Sequence, residues 1–247
     1  MKILIKKDQR AASRFVADQI IALVNQKTSP VLGLPTGSTP KGVYDELIKS
    51  YNQGNITFKH VTSFNLDEYL GLDPKHEQSY AYYMQKNLFE HVDFDPAFTH
   101  IYNGTTQDPN KECAHYTRLI KDSGGIDFQL LGIGLNGHIG FNEPRETFKL
   151  HSHVVKLDEK TRKANARFFK DKTCVPKEAM TMGIDEIMAS RAIVLLAFGK
   201  DKAKMMAKLL LSDDIDPNLP ASILHVHPNV TVVMDEAAAR LYQKNRL

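Results

Sequence analysis

The chain has 247 residues, 42% of them hydrophobic and 25% charged, with a formal net charge of +3. That length holds one large α/β domain with a sizeable core, or two small ones, and the balance is that of an ordinary globular protein. No Lys/Arg run exceeds two residues, so there is no basic stripe for a nucleic acid, and no apolar run approaches the ~20 residues that a membrane span needs.

In chain order, Lys2 to Lys6 reads as a strand, and its alternation argues against a signal peptide. Asp8 caps a helix reaching about Gln26, with Ala12, Phe15, Val16, Ile20 and Leu23 on one stripe. Val31 to Leu34 is a second strand. The turn Pro35-Thr-Gly-Ser-Thr39 leads into Pro40, suited to the first helical position, and that helix runs to about Tyr51. Val61 to Asn65 is a strand ended by Leu66-Asp-Glu-Tyr-Leu-Gly71. Helices follow near Tyr80–Phe89 and Pro109–Lys121, then strands at Phe128–Ile133 and Val154–Leu157. A polar, helix-prone stretch spans Glu159 to Phe169, and Ile184 to Ala189 is a short helix. Ala192 to Phe198 is a strand, Gly199 opens a helix reaching Leu211, and Val230 to Met234 is a last strand before a C-terminal helix. Strands alternating with helices imply right-handed crossovers and a mainly parallel sheet. With no internal repeat or linker, residues 1–247 are expected to form one domain.

Ligands of such sheets sit at the carboxyl ends of the strands. Three polar motifs fall at such ends. Leu34-Pro-Thr-Gly-Ser-Thr-Pro40 joins a strand to a helix start through a hydroxyl-rich glycine turn, where free N–H groups and the helix dipole attract an anion. It lacks the Lys of a Walker loop, and plain helix capping explains it equally well. Phe64-Asn-Leu-Asp-Glu-Tyr69 puts Asp67 and Glu68 just past a strand end, so one can face a cleft while the other supports it; a helix cap or solvated turn is the simpler account of this motif alone.

The third motif is Leu130-Leu-Gly-Ile-Gly-Leu-Asn-Gly-His-Ile-Gly-Phe-Asn-Glu-Pro144. Gly132–Gly137 fits the dinucleotide pattern G-x-G-x-x-G, and Asp158 supplies an acidic residue downstream. Gly140 and Pro144 interrupt the helix that such a site requires. The same residues read better as a proton relay: glycines let backbone approach a small ligand, His138 supplies an imidazole that can both take and give a proton, and Asn136 and Glu143 are near enough to orient its ring. His225-Val-His227 and His151-Ser-His153 are H-x-H pairs with no third ligand at a recognisable spacing, so no metal site is expected. Met180, Met182, Met188, Met205 and Met206 read as core filler. Arg162, Lys163 and Arg167 are by default solvated, unless their segment folds over the cleft. The two cysteines, Cys113 and Cys174, suggest no disulfide framework, which favours a reducing cytoplasm.

Together the three motifs resemble those of the glucosamine-6-phosphate deaminases, part of a wider sugar-phosphate isomerase family that includes 6-phosphogluconolactonases. The resemblance continues in Thr161-Arg-Lys-Ala-Asn-Ala-Arg-Phe-Phe169 and Phe198-Gly-Lys-Asp-Lys-Ala203 and covers nearly the whole chain in order. It implies a modified Rossmann-like α/β fold, with a mainly parallel central sheet flanked by helices and a helical lid at about 156–182. It implies conversion of glucosamine 6-phosphate and water to fructose 6-phosphate and ammonia, with no metal or organic cofactor. By the same resemblance, Asp67 moves the C2 proton, and His138 opens the ring with help from Asn136 and Glu143. Phosphate would lie on Gly37, Ser38 and Thr39, with cations at Arg167 and Lys202.

Two departures from the family pattern carry expectations. Many members have Asp where this chain has Asn136, an amide that holds an imidazole without adding charge. The segment Arg145-Glu-Thr-Phe-Lys-Leu-His-Ser-His-Val-Val155 matches the activator-binding segment of the allosteric hexamers poorly, and the C-terminus looks short. A monomer without activation by N-acetylglucosamine 6-phosphate is therefore expected. The rival readings are a 6-phosphogluconolactonase-like hydrolase, which has less use for a C2 base, a non-catalytic sugar-phosphate sensor, and a dinucleotide oxidoreductase.

Overall fold

Apolar residues alternate between the two faces of the strands, and this alternation builds the core. In the computed structural model, which describes residues 1–159, 162 and 175–246, the strands β1 (Lys2–Lys6), β2 (Val31–Leu34), β3 (Thr62–Asn65), β5 (Thr99–His100), β6 (Phe128–Gly132), β9 (Ala192–Ala197) and β10 (Val230–Asp235) form one sheet. Its order is β1-β10-β9-β6-β2-β3-β5, and every pairing is parallel. Leu32, Leu34, Leu130, Val194, Leu196 and Val233 pack on one face against α1 (Gln9–Gln26) and α2 (Lys41–Asn52). Val31, Leu131, Ile193, Leu195, Val232 and Met234 point the other way, joining buried residues of α4 (Pro109–Asp122), the helix Ala203–Leu210 and the C-terminal helix Glu236–Asn245. A strand buried on both faces is apolar along its length, as β2 and β9 are.

The local signals act as expected at most boundaries. Asp8 accepts from the Ala11 N–H at 2.8 Å and caps α1. Asp108 and Asp235 do the same for α4 and the C-terminal helix. Pro40 differs by one place. It precedes α2 with its carbonyl already accepting from Val43 and Tyr44, so it serves as the cap and Lys41 is the first helical residue. Gly199 does not open an α-helix directly; a 3-10 turn over Lys200–Lys202 intervenes.

The larger difference is a second sheet. Asp67–Tyr69, read as a turn, is a strand (β4) paired antiparallel with β8 (Glu178–Thr181), which in turn pairs with β7 (His153–Lys156). Tyr69, Phe141, Val155, Leu157, Val175 and Ala179 form a small apolar cluster beneath it. Only β7 had a readable sequence signal. Met180 and Met182 are fully buried and Met206 likewise, as core filler should be. Most of the expected lid, including Lys163 and Arg167, and Cys174 lie outside the described residues.

Asp127 anchors the opposite end of the main sheet. Its carboxylate takes Lys27 Nζ at 2.6 Å, Arg191 Nη1 at 2.8 Å and the Val31 N–H at 2.8 Å. Among the described residues, no helix is long and apolar enough to cross a membrane.

Candidate active site

The chain winds outward from β2 to β3 and β5 on one side, and from β6 to β9 and β10 on the other. Loops leaving the carboxyl ends of β2 and β6 therefore part, and a crevice opens at that switch point. A cleft of about 990 Å³ lies there. It is walled by Pro35–Thr39 after β2, by Asp67 of β4, by Gly132–Asn136 and His138 after β6, and by Phe198, Gly199, Asp201 and Lys202 after β9. All three motifs meet in it.

Asp67 faces the cleft and is only 7% exposed. Burial first, and the neighbouring Glu68 charge second, push its carboxyl up from 3.8 to about 8. Glu68 points away. Its two oxygens accept the N–H groups of Tyr69, Tyr80 and Ala81 at 2.8, 2.9 and 2.9 Å, which ties β4 to the start of α3 (Tyr80–Asn87). Burial raises Glu68 to about 7 against the pull of those three donors. One carboxylate faces the cleft and its neighbour supports it, with the helix-capping role falling on Glu68.

The loop after β6 is closed by Gly134 N–H to His138 O at 2.9 Å and Gly137 N–H to Gly134 O at 3.1 Å. No helix follows Gly137, which removes the dinucleotide reading. A methyl group on Gly134 would sit 2.3 Å from the His138 ring, so this glycine makes room for the imidazole itself. Gly132 is different: the nearest atoms, on Thr39, are 3.9 Å from such a methyl, and the residue lines the cleft. Behind the ring, His138 Nδ1 lies 3.4 Å from Glu143 Oε2. Asn136 Nδ2 donates to the same oxygen at 2.6 Å, while its Oδ1 accepts the His138 N–H at 3.3 Å. Glu143 does not wall the cleft; it is buried behind the histidine.

This contact sharpens the expectation at Asn136. In Asn136→Asp a second acceptor replaces the donor 2.6 Å from the Glu143 carboxylate. Two like charges at that distance hold an extra proton, and the relay carries more negative charge once it ionises. The variant is expected to stay active with the pKa of its ring-opening step raised, read from the pH dependence of that step. An unchanged profile would show that charge at this position is immaterial.

Gly37, Ser38 and Thr39 line the opposite wall, with Gly37 at φ +94°, where glycine is favoured. Lys202 reaches the cleft from beyond β9 and donates to Ile133 O at 2.5 Å. Asp235 steadies that loop by accepting the Gly199 N–H at 3.0 Å. Arg167 lies outside the described residues. Tyr80, which also lines the cleft, had no motif to mark it in the sequence. The H-x-H pairs are otherwise engaged: His227 Nε2 meets Ser190 O at 2.8 Å, and His225 Nε2 meets Leu209 O at 2.9 Å. Among the described residues no three His, Cys, Asp or Glu side chains gather as a metal site would require.

A Rossmann-like α/β protein with Asp67, His138 and the Gly37–Thr39 turn across one cleft is the class that this architecture defines. The chain belongs to the glucosamine-6-phosphate isomerase/6-phosphogluconolactonase family, whose model matches residues 6–233. A glucosamine-6-phosphate deaminase of Geobacillus sp. (strain WCH70) is 49% identical over 98% of this chain and 96% of its own. One from Clostridioides difficile (strain 630) is 48% identical over 97% and 96%. Among solved structures, a monomeric glucosamine-6-phosphate deaminase superposes with a TM-score of 0.95 at 45% identity, covering 98% of this chain and 100% of that one. The 6-phosphogluconolactonase of Thermotoga maritima shares the fold, with a TM-score of 0.75 at 20% identity over 95% and 98%.

Proposed function

We propose that this protein converts glucosamine 6-phosphate and water to fructose 6-phosphate and ammonia. The carrying observation is that Asp67, a buried cleft-facing carboxylate, shares one cleft with His138 and the Gly37–Thr39 turn. Deaminases 46–49% identical over almost the whole chain support the same reading.

The chemistry follows from what the residues can hold. Phosphate rests on Gly37, Ser38 and Thr39, with Lys202 and Arg167 as the cations. His138, oriented by Glu143 and Asn136, takes the proton of the anomeric hydroxyl and delivers one to the ring oxygen, which opens the pyranose to an aldehyde. Asp67, as carboxylate, takes the C2 proton. The electron pair moves into the C1 carbonyl, and the proton returns at C1, leaving an imine at C2. Water adds at C2 and ammonia departs. A lactonase needs no proton taken from C2, so Asp67 separates the two chemistries. Ammonia release from glucosamine 6-phosphate by the wild type, lost in Asp67→Asn, tests the assignment; no ammonia from wild type would overturn it.

The protein is further proposed to act as a single-domain monomer in the cytoplasm. The similar solved deaminase is monomeric, and Cys113 is a buried free thiol, as a reducing compartment allows. Hyperbolic kinetics, unaffected by N-acetylglucosamine 6-phosphate, are expected in initial-rate measurements. Sigmoidal kinetics relieved by that compound would contradict this.

A further inference from the structure

Two tyrosines hold two carbonyls of the Gly37–Thr39 turn and its approach. Tyr44 of α2 donates its hydroxyl to Pro35 O at 2.5 Å. Tyr83 of α3 donates to Gly37 O at 2.6 Å. Tyr80, which lines the cleft, donates its hydroxyl to Tyr69 Oη at 3.3 Å. In a trans peptide the carbonyl and the following N–H point in opposite directions. A Pro35 carbonyl turned back to Tyr44 therefore turns the Thr36 N–H away from Tyr44, and the Gly37 carbonyl fixed on Tyr83 does the same for the Ser38 N–H. Among the described residues neither N–H donates to a protein acceptor. Thr36 and Ser38 both wall the cleft, whereas Tyr44 and Tyr83 do not.

We propose that Tyr44 and Tyr83 are positioning residues that lock the Pro35–Gly37 backbone with its N–H groups aimed at the substrate's phosphate. The inference rests on the phosphate being bound at that turn. A loop free to rotate its peptides spends binding energy on ordering them when the anion arrives; a loop already held does not. The two bonds come from two helices, α2 and α3, and Glu68 fixes the start of α3, so the turn and the carboxylate Asp67 are referenced to one helix. Burial holds both phenols well above the usual tyrosine range, so each remains a neutral donor throughout the working pH range.

Tyr83→Phe removes one hydroxyl and keeps the ring. Its KM for glucosamine 6-phosphate is expected to rise about tenfold, with kcat changed less than about twofold. Competitive inhibition by inorganic phosphate should weaken by a similar factor, since one buried carbonyl released is enough to let the peptide turn. Tyr44→Phe should show the same split and serves if the first variant folds poorly. If phosphate competes in the wild type but KM and the phosphate inhibition constant both stay within about twofold in the variants, the locking role is wrong, whatever happens to Tm. A fall in kcat at unchanged KM would also overturn it. If phosphate fails to compete in the wild type, phosphate binding at the turn falls and the locking role falls with it.

Discussion

Asp67→Asn is expected to lose about 10³-fold in ammonia release and yet to melt at a higher temperature than the wild type at pH 8. The loss follows from removing the group that carries the C2 proton, an effect of general-base magnitude. The gain follows from burial. In the unfolded chain this carboxyl titrates near its ordinary 3.8, and in the folded protein near 8. Folding thus favours the protonated acid. Below about pH 4 both states hold the proton and there is no penalty; the penalty grows as pH rises and is complete above about pH 8. At ~1.36 kcal/mol per pH unit the ceiling is about 6 kcal/mol. Half of that raises Tm by about 6–12 °C in a protein of this size. Asparagine never ionises, so the variant's advantage should vanish when melting is repeated at pH 4. The same titration predicts that wild-type kcat/KM rises with pH well above the ordinary carboxylate range, because the base works only when ionised. Equal melting temperatures at pH 8 would show that the buried carboxyl is not strained by its surroundings.

Gly134→Ala should cost about 100-fold in kcat while leaving the protein folded. The residue is not at positive φ, so alanine suits the backbone. The added methyl would meet the His138 ring at 2.3 Å, a distance that forces the imidazole to move by about 1 Å. A shift of that size breaks its alignment with Glu143 and with the substrate, and catalysis falls about 100-fold for such a displacement. Overpacking of this kind costs about 1–3 kcal/mol of stability. Wild-type kcat with a lowered Tm would show that the ring has slack to yield.

Most of the main sheet was legible because its longer parallel strands are mainly apolar runs bounded by Pro, Gly or a capping Asp, and each helix carries its own stripe; β5, the two polar residues Thr99–His100, had no sequence signal. The second sheet was not. β4 is three residues long with two charged side chains, and β8 has no alternation to detect. Both exist because tertiary pairing, Asp67 with Thr181 and Tyr69 with Ala179, supplies what local propensity lacks. Within the site, the residues that touch the reaction stood in motifs. Those that hold the motifs did not: Tyr44 and Tyr83 fall inside the sequence-read helices with no motif to mark them, since only the fold reveals which carbonyl a phenol reaches. Gly134 was legible as a close-approach glycine, but what it admits is the protein's own histidine.

The partition of the site between two sheets has a consequence for divergence. The Gly37–Thr39 turn and the His138 loop hang from the all-parallel sheet, whose registers carry the core; Asp67 rides on the small antiparallel one. Substitutions in β7 and β8 leave the parallel registers untouched, so the setting of Asp67 can drift while the turn and the main core are retained. The architecture thus separates what must be inherited from what can be rewritten.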